Sequence, residues 1–280
     1  MHAPSMSVKG RGAARRAADS PVVDAAARWG FTARGVIYLL VGVLALQVAF
    51  GDGGGRQADR GGALAEIARQ PMGAVLLWVL GAGLAGMALW RLSEALFGAA
   101  GPGGSEPGKR LLSAGRCVFY GFVAYSVLAF AAGERGSGSG SGDRDSRDIT
   151  ARALELPGGR WVVGIAGAGI AVAGLWIGVR AVLRKYRKHL KPGHMSPGAR
   201  RLVDVTGVGG GAARGALFAA VGVFVVQAAL AYEPDRAKGF DDTLRSFAGT
   251  PAGPWLLAAV AAGLALFGVF SFAMARWRRV

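Results

Sequence analysis

At 280 residues, 52% hydrophobic and with a mean hydropathy of +0.36, the chain is more apolar than water-soluble domains usually are. Its net charge of +16 and pI near 11.2 would suit a nucleic-acid binder in magnitude, but the placement of that charge along the chain argues against one. A single cysteine, Cys117, excludes an intramolecular disulfide and a cysteine-rich metal site.

The residues before about Val22 are small, polar and basic (Lys9, Arg11, Arg15, Arg16), a composition that predicts a disordered tail. The Arg15-Arg16 pair is not followed by a short apolar core, so neither a twin-arginine leader nor a cleaved signal peptide is expected. Beyond the tail, charge-free apolar runs recur at Gly35–Gly51, Gln70–Trp90, Cys117–Gly133, Trp161–Val179, Gly215–Tyr232 and Trp255–Ala275. Their lengths of 17, 21, 17, 19, 18 and 21 residues match the roughly 17–25 residues that carry a helix across a bilayer. A soluble bundle would keep a polar face on each helix, and these runs keep none. The reading is an all-α integral membrane protein with six transmembrane helices.

One arrangement of residues occurs three times. An arginine is followed four residues later by an aromatic: Arg34 with Tyr38, Arg116 with Tyr120, Arg214 with Phe218. A P-x-G step then opens the next run: Pro71 with Gly73, Pro157 with Gly159, Pro251 with Gly253. Twelve residues after each proline stands a glycine (Gly83, Gly169, Gly263), and nineteen after it an aromatic (Trp90, Trp176, Phe270). The arginine-to-proline interval is 37 residues in the first and third copies and 41 in the second, which carries a Gly/Ser tract at Gly136–Gly142. The chain thus divides into a tail over 1–22 and two-helix repeats over 23–100, 110–190 and 202–280. An even number of spans per repeat leaves all copies in one orientation, which allows a pseudo-threefold arrangement about the membrane normal.

Between the two spans of each copy, Ala58–Gln70, Arg147–Leu156 and Phe240–Thr250 carry an aspartate and apolar residues at helical spacing. They predict short amphipathic helices at the outer interface, with the proline of P-x-G in the first turn of the returning span. The segments at the opposite end, including a cluster at Arg184, Lys185, Arg187, Lys188 and Lys191, hold 22 of the 33 Lys and Arg and only 5 of the 17 Asp and Glu. Such asymmetry places them, and both termini, in the cytoplasm and attracts anionic headgroups.

Little in the spans carries chemistry. The charge-free runs put no ionisable residue in the middle third of any span, which disfavours a proton relay. Gln47, Gln227 and Ser126 are left as polar candidates. Arg91 and Glu94 stand three apart at the inner end of span two and suit a structural ion pair. The glycines from Gly207 to Gly211 imitate a dinucleotide fingerprint without a preceding strand, and His189 and His194 lack metal-ligand neighbours. No catalytic constellation, cofactor site or metal site is expected. The small pairs Gly174/Gly178 and Gly211/Gly215 suit close helix approach, and Cys117 stands where the other copies have Gly35 and Gly215, as a small packing residue. The sharpest candidates are Arg34, Arg116 and Arg214, read at the cytoplasmic starts of spans one, three and five. There they either anchor to headgroups, with Tyr38, Tyr120 and Phe218 in the interfacial belt, or converge on the axis as an anion site or gate.

The string Ala27-Arg-Trp-Gly-Phe-Thr-Ala-Arg-Gly-Val-Ile-Tyr38, with Leu89-Trp-Arg-Leu-Ser-Glu-Ala95, resembles the bacterial membrane family called domain of unknown function 1206. The resemblance runs from about Ala27 to Arg279 and implies three tandem two-helix repeats of an actinomycete type, with no activity attached. The expectation is a non-enzymatic polytopic protein of the bacterial inner membrane, acting as a scaffold or accessory subunit beside a membrane-protein partner or a second copy. The alternative is a channel or carrier for a small solute or anion around the pseudo-threefold axis. A topology reporter fused near Gly140 is expected to be active outside the membrane and one fused near Gly193 inactive; the opposite pattern would invert the orientation.

Overall fold

The computed structural model describes residues 21–50, 57–98, 106–133, 142–190, 193, 195–248 and 253–278. Most of the tail, most of the Gly/Ser tract, Lys191, His194 and Pro251 lie outside these residues. Each copy contributes a long helix, a short one and a long returning one. Copy one is α1 (Pro21–Ala49), α2 (Arg60–Arg69) and α3 (Gly73–Phe97). Copy two is α4 (Pro107–Ala131), α5 (Gly142–Leu154) and α6 (Gly159–Val182). Copy three is α7 (Pro197–Ala231), α8 (Phe240–Ala248) and α9 (Gly253–Trp277). The six long helices are each long and apolar enough to cross a membrane.

The short helices form where the amphipathic pattern predicts them, and they form one polar layer. Asp59 caps α2 by accepting from the Gly62 N–H at 2.8 Å. Asp241 of α8 accepts from the backbone N–H of Ala58 at 2.8 Å and from Arg245 at 2.7 Å, and Arg147 of α5 pairs with Asp242. All three copies are therefore stitched together at this end.

Two expectations change. In copies one and two the P-x-G proline is not in the first turn of the returning helix. Helix α3 begins at Gly73 and α6 at Gly159, each preceded by a residue in the left-handed region, Met72 (φ 66°) and Gly158 (φ 75°). Pro71 and Pro157 stand outside, turning the chain out of the short helix. The glycine is required by space: a Cβ at Gly159 would lie 1.9 Å from the Ala153 carbonyl oxygen, and one at Gly73 2.5 Å from that of Ile67. Second, the arginines are not at helix starts. Thirteen residues of α1 precede Arg34, nine of α4 precede Arg116 and seventeen of α7 precede Arg214. Arg34 thus stands about 20 Å from the beginning of its helix.

The added turns have a cause in the sequence. Arg28, six residues before Arg34, donates to the Ala275 and Arg276 carbonyls at 3.0 Å, capping the end of α9. Arg110, six before Arg116, does the same for α3 through Ala95 and Leu96 at 2.8 and 2.9 Å. The first helix of one copy runs on to close the last helix of the copy before it. At the same end Tyr186 and Arg187 of the basic loop both donate to Asp204 of α7. Burial and that carboxylate push the Tyr186 hydroxyl up to about 12.

The long helices pack in the order α6, α7, α9, α1, α3, α4. Glycines set the close approaches. A Cβ at Gly42 or Gly268 would strike the α1–α9 neighbour's backbone at 2.7 or 2.8 Å; Gly174, Gly215 and Gly222 do the same between α6 and α7 at 2.3–2.6 Å. The α1–α3 and α7–α9 pairs pack within their copies. Their counterpart in copy two, α4 with α6, forms no comparable interface among the described residues. The ring is a C, open at one seam.

Gly159→Ala is expected to lower the thermal midpoint of the purified protein in detergent by the equivalent of about 1–3 kcal/mol, the range of an overpacked site. Ala at Gly169, where a Cβ meets nothing within 4 Å, should not lower it.

Candidate functional site

The repeat arginines sit at the level where the apolar faces of the first helices converge. Arg34 donates through Nη1 to the Tyr120 hydroxyl at 3.4 Å and through Nε to the Ser271 hydroxyl at 3.1 Å. Arg214 donates through Nε to the Tyr38 hydroxyl at 2.8 Å. Each arginine therefore donates to the aromatic of the next copy in cyclic order, one to two and three to one. The remaining link would run from Arg116 to Phe218, and phenylalanine has no oxygen to accept. Arg116 lies within electrostatic reach of Arg91, which occupies in copy one the place that Ser271 holds in copy three, and of Glu94, which offsets it in part. Arg91 is itself held by Glu94 at 2.5 Å, and Glu94 also accepts from Ser113 at 3.2 Å. With a like charge nearby and no hydroxyl to accept, Arg116 makes no hydrogen bond or ion pair among the described residues and remains exposed.

Arg34 and Arg214 share one aromatic, Phe267, with their guanidinium carbons 5.1 and 4.9 Å from its centroid. The Tyr38 ring meets Phe267 edge-on at 4.8 Å. These contacts replace part of the lost hydration of two cations inside an apolar bundle. Among the described residues neither arginine forms an ion pair with a carboxylate.

The two arginines line an axial cavity of about 300 Å³ together with Tyr38, Tyr120 and Phe218. Ile37, Val41, Leu84, Val123 and Val221 make its apolar wall, and Asp59, Arg60, Ser146 and Phe240 close it beneath the short helices. On the basic side of the arginines the bundle is filled by Phe31, Trp90, Phe267 and Phe270, all buried, with the Arg278 guanidinium over Phe31 and Trp90 at 5.0 and 4.7 Å. No residue of α6 lines the cavity, and Phe119, which does, is half exposed. The cavity therefore meets the surface at the seam.

Five of the six residues named from the arginine–aromatic repeat come together here, and Arg116 does not. Pro71, Gly73, Pro157 and Gly159 lie at the far end as joints of the backbone, and Gly253 is the buried first residue of α9. Ser126 donates to its own helix at the Phe122 carbonyl, 2.9 Å away. Sequence reasoning missed Ser271, Phe267 and the capping pair Arg28 and Arg110; the six-residue interval from Arg28 to Arg34, repeated from Arg110 to Arg116, was the available signal.

Three segments, residues 29–98, 113–184 and 209–278, match the Domain of Unknown Function (DUF1206). The chain belongs to that family. It is also 31% identical over 253 residues, 90% of each chain, to the Uncharacterized protein YxxB of Bacillus subtilis (strain 168). No solved structure matches the chain.

If cross-copy donation holds the ring, Tyr38→Phe should destabilise the purified protein by about 1–3 kcal/mol, the cost of leaving a buried charged donor unsatisfied. Phe218→Tyr, which supplies the missing acceptor, should raise the melting temperature. Equal melting of both variants and wild type would contradict the cyclic scheme.

Proposed function

We propose that this is a multi-pass protein of the bacterial inner membrane that holds an anionic solute on the axis between its three copies, without covalent chemistry on it. The observation that carries this reading is the placement of Arg34 and Arg214 in one cavity with hydroxyl and aromatic partners and no ion pair of their own, while the carboxylate that lines the cavity, Asp59, stands at its far end beside Arg60 and caps α2. Two cations in a low-dielectric wall repel each other and favour an anion between or above them. Hydroxyls and aromatic faces orient the guanidiniums without neutralising them, which leaves their charge available. A scaffold alone needs no such cavity, so the geometry favours the solute-binding alternative over the scaffold.

The basic end faces the cytoplasm in this reading, with both termini, because the segments there hold an excess of 17 positive charges, 14 without Arg34, Arg116 and Arg214, against −1 at the other end. The aromatic packing on that side of the arginines then separates the cavity from the cytoplasm. Such a site suits binding with occlusion rather than a permanently open pore.

The purified protein should be stabilised against heat by sulfate, inorganic phosphate or a short-chain carboxylate at constant ionic strength, beyond the shift given by chloride. Arg34→Gln with Arg214→Gln should weaken that effect at least tenfold, and the Lys pair should retain part of it. A wild-type protein indifferent to all three anions would overturn the reading.

A further inference from the structure

The second copy keeps the parts of a closed helix pair without closing it. In copy one, Gly83 of α3 receives Trp29 and Ala33 of α1; in copy three, Gly263 of α9 receives Ala213 of α7. The equivalent Gly169 of α6 meets nothing within 4 Å, and on α4 neither does Gly115, the counterpart of Ala33. The repeat aromatic nineteen residues after the proline tells the same story: Trp90 and Phe270 are 4% and 7% exposed, Trp176 57%. At the basic end of this seam Arg116 on α4 lies within electrostatic reach of Arg91 on α3 and, more weakly, of Arg180 on α6, with Glu94 offsetting them in part. The repulsion between Arg116 and Arg180 opposes closure, and an anion between them would relieve it.

We infer that the axial site takes an anionic glycerophospholipid, admitted sideways from the bilayer through the seam between α4 and α6. This inference rests on the anion-binding reading above and names the ligand's class. The arginines supply the headgroup end: Arg116 and Arg180 at the lip, Arg34 and Arg214 inside. The walls next to them, at Ile37, Val41, Leu84, Val123 and Val221, are apolar and suit the first part of an acyl chain, and the polar residues Asp59, Arg60 and Ser146 end that stretch beneath the short helices. The cavity's 300 Å³ holds about ten water-sized groups. That is enough for a phosphate and the first part of one chain, and too little for a whole lipid. The rest must lie in the seam beyond the arginines, where Phe119 and Phe122 of α4, on the face of Gly115, and Ile165 and Val172 of α6, on the face of Gly169, are exposed. A small hydrophilic anion would leave this apolar wall and the open side without a partner; an amphiphile uses both.

The test uses the full chain, purified and placed in mixed micelles holding phosphatidylglycerol and phosphatidylcholine in equal amounts, with bound lipid counted by native mass spectrometry. Phosphatidylglycerol should be retained at least tenfold over phosphatidylcholine. Arg34→Gln with Arg214→Gln should abolish the preference, and Gly169→Trp, which fills open space, should slow lipid uptake at least tenfold. Melting temperature is followed for every variant, and the Arg34→Lys, Arg214→Lys pair guards against misfolding by retaining part of the preference. Equal retention of the two lipids, or uptake unchanged by Gly169→Trp, overturns the inference. If sulfate or inorganic phosphate still binds in an arginine-dependent way, that result leaves the anion-binding reading standing. Failure of both the soluble anions and phosphatidylglycerol removes the two together.

Discussion

A guanidinium placed well inside a membrane-spanning helix cannot lose its charge and cannot be left bare, so its donors must find acceptors on a neighbour. For Arg34 and Arg214 the neighbour is another copy of the same repeat, and Arg116, which finds none among the described residues, stays on the exposed face of α4. Arg34 reaches Tyr120 and Ser271, and Arg214 reaches Tyr38. The need to satisfy one side chain therefore fixes how the copies are ordered around the axis, at which height they meet and which face of each first helix turns inward. Helix packing through small residues brings the backbones close, but such packing is tolerant of rotation. The arginine contacts are not.

The same logic explains the second layer of arginines. A helix end inside or near a membrane leaves carbonyls without partners. Arg28 and Arg110 supply donors to the ends of α9 and α3 from the copy that follows. Copy three has Val208 at that place, and the connection there is made instead by the basic loop, through Tyr186 and Arg187 on Asp204. Both breaks in the pattern, Val208 for arginine and Phe218 for tyrosine, fall where copy two should meet copy three.

Much of this architecture was legible because it is written three times. Six spans, their pairing into copies and the three short helices follow from charge-free length, from the recurring arginine and proline, and from apolar spacing. The helix starts did not follow, because a charge ends an apolar run but need not end a helix. Arg34 reads as a boundary until Arg28, six residues earlier, is seen to cap the end of α9. The reading that no ionisable residue enters the middle of a span failed for the same reason. The convergence of the arginines was beyond one sequence: residues four apart share a helix face, yet nothing local says which way that face turns. The difference between Tyr38, Tyr120 and Phe218 was visible all along. Its meaning appeared only once the donor to each was known to come from another copy.

The substitution of phenylalanine at position 218 removes one oxygen from an otherwise threefold set, and its consequence is one of counting. A receptor with true threefold symmetry offers a ligand without that symmetry three equivalent poses, a degeneracy worth RT ln 3, about 0.6 kcal/mol. With Arg116 turned away and a single side of the ring unsealed, the poses are no longer equivalent. The protein gives up that small statistical gain, and in return its axis has a front and a back.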